Sequence, residues 1–129
     1  IHQYIIMSAP TAAQYAALAA LTDPAAATAV RSMAAAYDAR RRLVVDGFNR
    51  IGLPTFEPRG AFYAFPDVRP TGLSSDTFCE RLLYEHKVAM VPGEAFGEAG
   101  RGFARCSYAT SIERLTEALA RIGAFVASL

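Results

Sequence analysis

Residues 88–109 read VAMVPGEAFGEAGRGFARCSYA, and this stretch decides how the chain folds. An apolar run is followed by a Pro-Gly turn, a loop punctuated by glycines and a second run with little charge. The pattern predicts strands over 88–91 and 103–108 joined by a compact loop. Arg105 is the one charge in the second strand, and a guanidinium that cannot lose its proton is costly to bury without an anion. Arg105 therefore either lies on an exposed face or binds an anion supplied from elsewhere, and we expect the second.

Two helices are predicted before residue 53. Thr11 and Gln14 have the spacing of a capping box, which predicts a helix over about 11–21. Asp23 followed by Pro24 begins a second helix of roughly 28 residues that ends at Gly52. Its apolar face is predicted from Val30, Met33, Ala34, Tyr37, Val44, Phe48 and Ile51. The arginines at 40–42 and at 50 are expected to lie on a solvated face and to complement the helix dipole.

The rest of the chain predicts a small sheet with two further helices. Residues 60–65, an aromatic run closed by a proline, indicate a strand. Ser74 or Ser75 caps the next helix, whose predicted inward face is Phe78, Leu82, Leu83 and His86. Thr110 and Glu113 form a second capping box before a last helix with Ile112, Leu115, Leu119, Ile122, Phe125 and Val126 inward. The order β-α-β-β-α predicts an α+β fold: a three-stranded split βαβ-like sheet with helices on one face, preceded by a long connecting helix.

Composition excludes several classes of protein. The 129 residues suffice for one domain with a real core, and the net charge is +1 with mostly scattered basic residues, which disfavours a nucleic-acid partner. The two cysteines have no paired spacing, so we expect neither a metal site nor a disulfide, and we expect a cytoplasmic location. No apolar run of membrane-spanning length occurs. The chain opens on Ile rather than Met, which suggests a piece of a longer protein.

Most residues able to carry chemistry have ordinary structural explanations. Lys87 is the single lysine and lies at a predicted helix end, where it caps carbonyl groups. His2 and His86 have no nucleophile placed beside them, so a catalytic triad is not expected. Glu94 and Glu98 flank the glycine loop and are expected to be solvated. No catalytic residue is therefore predicted within this chain.

Three residues remain as candidates for binding. Phe62 belongs to an aromatic run that more often forms core than stacks on a ligand. Gly60 either permits close backbone approach to a ligand or allows a positive φ at a turn. For Arg105, a structural role and an anion-binding role are evenly matched on the residues alone.

Three stretches, HQYIIMSAPTAAQYAALAAL, PRGAFYAFPDV and KVAMVPGEAFGEAGRGFARCSYATSIERLTEALARI, change that balance. In their order and spacing they resemble the C-terminal part of class I/II, fold-type-I aminotransferases that depend on pyridoxal phosphate. The resemblance implies that Arg105, in Arg-Cys-Ser-Tyr-Ala, binds the α-carboxylate of the substrate. It also implies that Gly60 and Phe62 approach the substrate side chain and that the turn at 92–96 supports the entrance of the small domain.

The resemblance further implies a parent enzyme that is a homodimer, holds pyridoxal 5'-phosphate, and acts on an amino acid and a 2-oxo acid. The family's cofactor-bearing Ser-x-Ser-Lys segment is missing, as are its cofactor-contacting Asp, Asn and Tyr. We therefore expect residues 1–21 to be the tail of the large domain, 22–52 the connecting helix and 53–129 the small domain. This fragment is expected to bind no cofactor and to be inactive alone.

Two alternatives stay open. One is a pyridoxal-phosphate-dependent C–S lyase or synthase of the same fold, because carboxylate binding is common to all these reactions. The other is a stand-alone α+β module that binds amino acids or dimerises, in which Arg105 is structural or regulatory.

Overall fold

Four α-helices and three short strands make up residues 8–129, the part of the chain that the computed structural model describes. In chain order they are α1 (Thr11–Thr22), α2 (Pro24–Ile51), β1 (Tyr63–Ala64), α3 (Ser75–His86), β2 (Val91–Pro92), β3 (Ala104–Ser107) and α4 (Ile112–Ala127). Single turns of 3-10 helix occupy Arg69–Thr71, Gly93–Phe96 and Glu98–Gly100. His2 and most of the apolar segment before α1 lie outside the described residues. The predicted order β-α-β-β-α after α2 is confirmed.

The three strands form an antiparallel sheet in the order β1-β3-β2. Tyr63 pairs with Ser107 on one side of β3, and Val91 pairs with Arg105 on the other. Because β1 and β2 both run antiparallel to β3, they are parallel to each other, which is the split βαβ arrangement that the sequence predicts. The strands are shorter than predicted: of residues 88–91, Val91 alone is part of a strand.

Residues 37–129 form a compact unit with its own hydrophobic core. One face of the sheet contributes Ala64, Ala104 and Tyr108 to this core. The helices contribute fully or nearly fully buried side chains: Val44 and Phe48 from α2, Phe78 and Leu82 from α3, and Leu115, Ile122 and Phe125 from α4. The helices thus cover one face, as predicted. Leu83 and Ile112, which the periodicity placed inward, are exposed because they lie at the edges of their helical faces.

Residues 8–36 belong to a second unit, built from α1 and the first half of α2. No residue of α1 is buried, and its large apolar side chains Tyr15, Leu18 and Leu21 are exposed. Val30 and Met33 on α2 were predicted to face inward, but they are 58% and 53% exposed. Helical periodicity marks an apolar stripe, but it does not say what covers the stripe.

The start of α1 differs from the predicted capping box. Pro10 is the N-cap residue, and no side chain caps the helix there. The amide of Gln14 donates instead to the backbone carbonyl of Ala9 at 2.8 Å. Thr11 is the first residue of the helix, so the capping-box prediction is wrong, although the predicted extent of the helix is confirmed to within one residue.

The other helix ends follow the expected chemistry more closely. The Asp23 carboxylate accepts from the N–H of Ala25 at 2.8 Å, and Gly52 takes a φ of +90° after the last residue of α2. Ser74 caps α3. The last helix is capped by Ser111 and not by Thr110, and its N3 residue is Arg114, so the predicted capping box of Thr110 and Glu113 is wrong.

One of the arginines at 40–42 is not on a solvated face. The Arg41 side chain is 16% exposed and forms ion pairs with Asp38, at 2.6 Å, and with Glu57 in the connector after α2. These bonds raise the pKa of Arg41 and lower that of Asp38. Arg41 therefore ties the connector to the helix, a contact that a charge pattern read along one helix does not predict.

Candidate functional site

Arg105 lies in the middle of the sheet, on the face opposite the core. Its neighbour Ala104 and the nearby Tyr108 are buried against the helices. Side chains alternate along a strand, so Arg105 points to the other face, where it is half-buried. Because β3 is the central strand, the side chain is flanked by groups from both β1 and β2.

Two aromatic rings hold the Arg105 guanidinium. Its Cζ atom lies 4.4 Å from the ring centroid of Tyr63 on β1 and 4.3 Å from that of Phe96, in the turn after β2. A guanidinium is attracted to aromatic faces and keeps its in-plane N–H groups free when it lies over them. Phe96 is itself held edge-on by Phe65, at 5.9 Å between centroids.

No carboxylate within residues 8–129 forms an ion pair with Arg105. The other ion pairs in this part of the chain engage arginines elsewhere, such as Arg69 with Asp67 and Arg101 with Glu98. A half-buried cation with aromatic neighbours and no anion of its own fits a site for an anion brought in from outside.

Phe62 is brought into the same aromatic cluster. Its ring lies 4.6 Å from that of Tyr63, which contacts Arg105, and 5.9 Å from that of Tyr37 on α2. The side chain remains 38% exposed. Phe62 is thus neither core nor fully free, and it presents an apolar surface beside the residues that flank the guanidinium.

Gly60 is exposed, and the positive φ that was one reason offered for a glycine there is not found at this residue. A Cβ added at Gly60 would meet no atom within 4 Å, and its φ lies outside the left-handed region. The positive φ falls instead on Ala61, at +58°. The Tyr108 hydroxyl donates to the Ala61 carbonyl at 3.1 Å, and the backbone N–H of Tyr108 donates to the Phe62 carbonyl at 2.9 Å. Tyr108 therefore fixes the segment that carries Phe62.

Sequence reasoning missed this role of Tyr108. The signal available was a tyrosine in a strand end otherwise made of small residues, since a buried hydroxyl must find a partner. Burial raises the pKa of Tyr108, so the hydroxyl keeps its proton and acts as the donor in this bond.

Glu94 differs from the solvated carboxylate that was expected. It is half-buried and accepts a 2.5 Å hydrogen bond from the hydroxyl of Ser75, a fully buried residue in the first turn of α3. This bond, together with the backbone N–H groups of Glu94 and Gly102, lowers the pKa of the Glu94 carboxyl. Glu98 on the same loop is exposed, as expected.

The loop between β2 and β3 closes through two glycines in direct backbone contact. A Cβ on Gly93 would lie 2.0 Å from the carbonyl oxygen of Gly100, and one on Gly100 would lie 2.0 Å from that of Gly93. The N–H of Gly93 donates to the carbonyl of Phe103 at 2.7 Å. The loop is thereby folded back on itself, with the ring of Phe96 directed to Arg105.

The remaining candidates have structural roles. Lys87 is exposed, and its Nζ donates to the carbonyl of Tyr84 at 2.7 Å, the capping role that was predicted. His86 packs its ring against Phe125 at 5.3 Å. Cys79 is buried, and this burial, helped by nearby acidic groups, raises its pKa to about 12. Within residues 8–129 no group of acidic, His or Cys side chains could hold a metal ion, and no helix is long and apolar enough to cross a membrane.

Residues 1–122 match the family model described as Aminotransferase class I and II. The chain is 53% identical over 109 residues to an aspartate aminotransferase of Pyrococcus abyssi, and this alignment covers 84% of the chain and 28% of the relative. The chain thus spans about a third or less of the length of the curated relatives it matches.

Solved structures give the same match in three dimensions. The aromatic aminotransferase of Pyrococcus horikoshii superposes with a TM-score of 0.87 at 50% identity, covering 89% of this chain and 31% of that one. An aminotransferase of Mycobacterium tuberculosis superposes with a TM-score of 0.89 at 36% identity, covering 98% and 33%.

Proposed function

This chain belongs to the aminotransferase class I and II family, and from that premise we propose that the enzyme carrying it moves an amino group between an amino acid and a 2-oxo acid. This chain supplies the group that binds the carboxylate, which the amino acid and the 2-oxo acid have in common. The observation that supports this role is the half-buried guanidinium of Arg105, which lies between Tyr63 and Phe96 without an ion pair among residues 8–129.

Arg105 binds the substrate carboxylate through two parallel charge-assisted hydrogen bonds. A guanidinium presents a planar fork of N–H donors that matches the two oxygens of a carboxylate. Contact with the rings of Tyr63 and Phe96 limits the positions that the guanidinium can take, so the bound acid is held in a defined orientation. Phe62 offers an apolar surface for the substrate side chain, and the exposed Gly60 leaves room beside it.

The residues of this chain do not fit the family's cofactor. A lysine that holds pyridoxal phosphate covalently must lie in a pocket, whereas Lys87, the single lysine, is exposed and donates to a helix-end carbonyl. The cofactor's binding groups come from other parts of the parent enzyme, and residues 1–129 by themselves hold no cofactor and are inactive.

The proposed arrangement assigns residues 1–21 to the tail of a large domain, 22–52 to a connecting helix and 53–129 to the small domain. The exposed apolar side chains of α1, Tyr15, Leu18 and Leu21, support it, because an apolar helix with nothing buried needs a covering partner. We also place the parent in the cytoplasm as a homodimer, as is typical of the family.

A lyase or synthase of the same fold uses the same carboxylate grip, and product analysis separates it from a transaminase. The relatives are named for different substrates, aspartate in one case and aromatic amino acids in another. An assay with a panel of amino acids is therefore needed to assign the substrate side chain that the parent enzyme prefers. A stand-alone amino-acid-binding module would bind free amino acid tightly as the isolated chain, whereas part of an active site would bind it negligibly.

The test compares two arginine variants of the full-length enzyme. Arg105→Lys replaces the fork with a point charge and is expected to raise the KM for the amino acid roughly ten- to a hundredfold, since one charge-assisted bond is worth about 1.5–3 kcal/mol. Arg101→Lys is the matched control, because Arg101 is 71% exposed on the adjoining loop and pairs with Glu98. An unchanged KM in Arg105→Lys removes Arg105 from the site.

A further inference from the structure

Glu94 has no role in the site as described so far, yet its carboxylate accepts a hydrogen bond from the buried hydroxyl of Ser75. It lies in the same 3-10 turn, Gly93–Phe96, as the aromatic ring that contacts the guanidinium. Three hydrogen bonds hold that turn without involving Phe96. The hydroxyl of Ser75 donates to the Glu94 carboxylate, the N–H of Gly93 donates to the carbonyl of Phe103, and the N–H of Gly97 donates to the carbonyl of Glu94.

The Ser75 bond links the turn to the rigid part of the fold. Ser75 is fully buried in the first turn of α3, a helix whose side chains Phe78 and Leu82 are buried in the core. Within residues 8–129, no buried side-chain polar atom lacks a partner, so loss of the Glu94 acceptor would leave the Ser75 hydroxyl unsatisfied. A negative charge at this end of α3 is also favoured by the helix dipole.

The position of Phe96 depends on this link. The side chain of Phe96 is half-exposed, and its ring contacts the ring of Phe65 edge-on and the guanidinium of Arg105. Because about half of this side chain is exposed, its position depends on the backbone turn that carries it, and the bond from Ser75 to Glu94 is one of those that hold the turn. We propose that Glu94 is a positioning residue that keeps Phe96 over Arg105 and so preorganises the carboxylate grip.

The inference rests on the proposed function, since it gives Glu94 a part in binding the substrate carboxylate. The bonds from Ser75 and from backbone N–H groups stabilise the charged form of Glu94 and so lower its pKa. The carboxylate is therefore charged at neutral pH and available to accept the bond from Ser75.

The test measures KM and kcat of the full-length enzyme for the amino acid, together with competitive inhibition by hexanoate, an acid without an amino group. Glu94→Gln keeps the size of the side chain but weakens the bond from Ser75, and it is expected to raise KM and the inhibition constant by about three- to tenfold. The kcat is expected to change little, since the chemistry is not touched. Ser75→Ala probes the same bond from the other side and is expected to give the same increase.

The two substitutions act on one contact, so the double variant Glu94→Gln/Ser75→Ala is expected to show no more than either single change. Glu98→Gln is the matched control on the same loop, because Glu98 is exposed and pairs with Arg101. A purely structural role would lower the melting temperature without raising KM, and that result overturns the inference, as does an equal rise in Glu98→Gln.

Arg105→Lys, measured in parallel, separates the two proposals. If Arg105→Lys raises KM and neither Glu94→Gln nor Ser75→Ala does, the positioning role is wrong and the proposed function stands. If Arg105→Lys leaves KM unchanged, both proposals fall.

Discussion

Gly93→Ala tests how the loop that carries Phe96 is built. The added Cβ would lie 2.0 Å from the carbonyl oxygen of Gly100 and 2.7 Å from that of Phe103, and real Cβ contacts essentially never fall under 3.0 Å. The two sides of the loop must therefore separate by about 1 Å, which lengthens the 2.7 Å bond from the Gly93 N–H to Phe103. Both obstacles are backbone atoms, so no side-chain rotation relieves the clash.

The cost has two parts. Forcing extra volume into a packed site costs about 1–3 kcal/mol, and loss of one hydrogen bond adds about 0.5–1.5 kcal/mol. Together they weaken the closed loop by about 2–4 kcal/mol, which is roughly a 30-fold or larger increase in its open population. Phe96 then loses its fixed place over Arg105, so the KM for amino acid rises as well.

Hydrogen exchange followed by mass spectrometry on the full-length enzyme measures this opening directly. The peptide over 88–108 is expected to exchange faster in Gly93→Ala, while peptides from α4 are unaffected. Gly60→Ala is the matched control, because a Cβ there meets nothing within 4 Å and the backbone is not left-handed. Equal exchange of the 88–108 peptide in Gly93→Ala, Gly60→Ala and the parent refutes the reasoning.

Three further outcomes follow from single contacts. Lys87→Gly is expected to raise the melting temperature, because Lys87 holds a φ of +58° that costs a non-glycine residue about 1–2 kcal/mol, whereas Lys87→Ala keeps the strain and should show no gain. Asp67 has a pKa lowered mainly by the side chain of Arg69, so its stabilising effect is full above its ordinary value of 3.8 and is lost as the pH falls through the lowered value. The melting-temperature difference between the parent and Asp67→Asn should therefore vanish in acid; a constant difference would argue against the ion pair. Cys79, whose pKa is raised to about 12 by burial, should resist iodoacetamide at mildly alkaline pH until the protein is denatured, and rapid labelling of the folded enzyme would contradict its burial.

The secondary structure was predictable because its signals are local. Asp23 and Pro24 begin α2, and Gly52 ends it, through backbone chemistry that involves only near neighbours. The order of the strands and the split βαβ arrangement followed from short apolar runs and the turns between them. The capping boxes at Thr11 and Thr110 were wrong because a neighbouring residue, Pro10 or Ser111, occupies the N-cap position.

The candidate site was predictable in part. Arg105 stood out because a lone charge in an uncharged strand needs an explanation wherever the strand lies. The residues that shape its surroundings did not, since Tyr63, Phe96 and Glu94 come from different segments and meet only after the sheet and loop have formed. In the sequence, Glu94 cannot be distinguished from a solvated loop carboxylate. Only the structure shows that the buried hydroxyl of Ser75 donates to it.

The sequence alone determined the helices, the strand order and the choice of Arg105 as a candidate, because these depend on periodicity, caps and the charge of a single side chain. Tertiary structure alone decided which rings lie beside Arg105, which hydroxyl donates to Glu94, and which glycines must touch for the loop to close. Those contacts join residues far apart in the chain, such as Ser75 with Glu94 and Ala61 with Tyr108, and no local pattern encodes them.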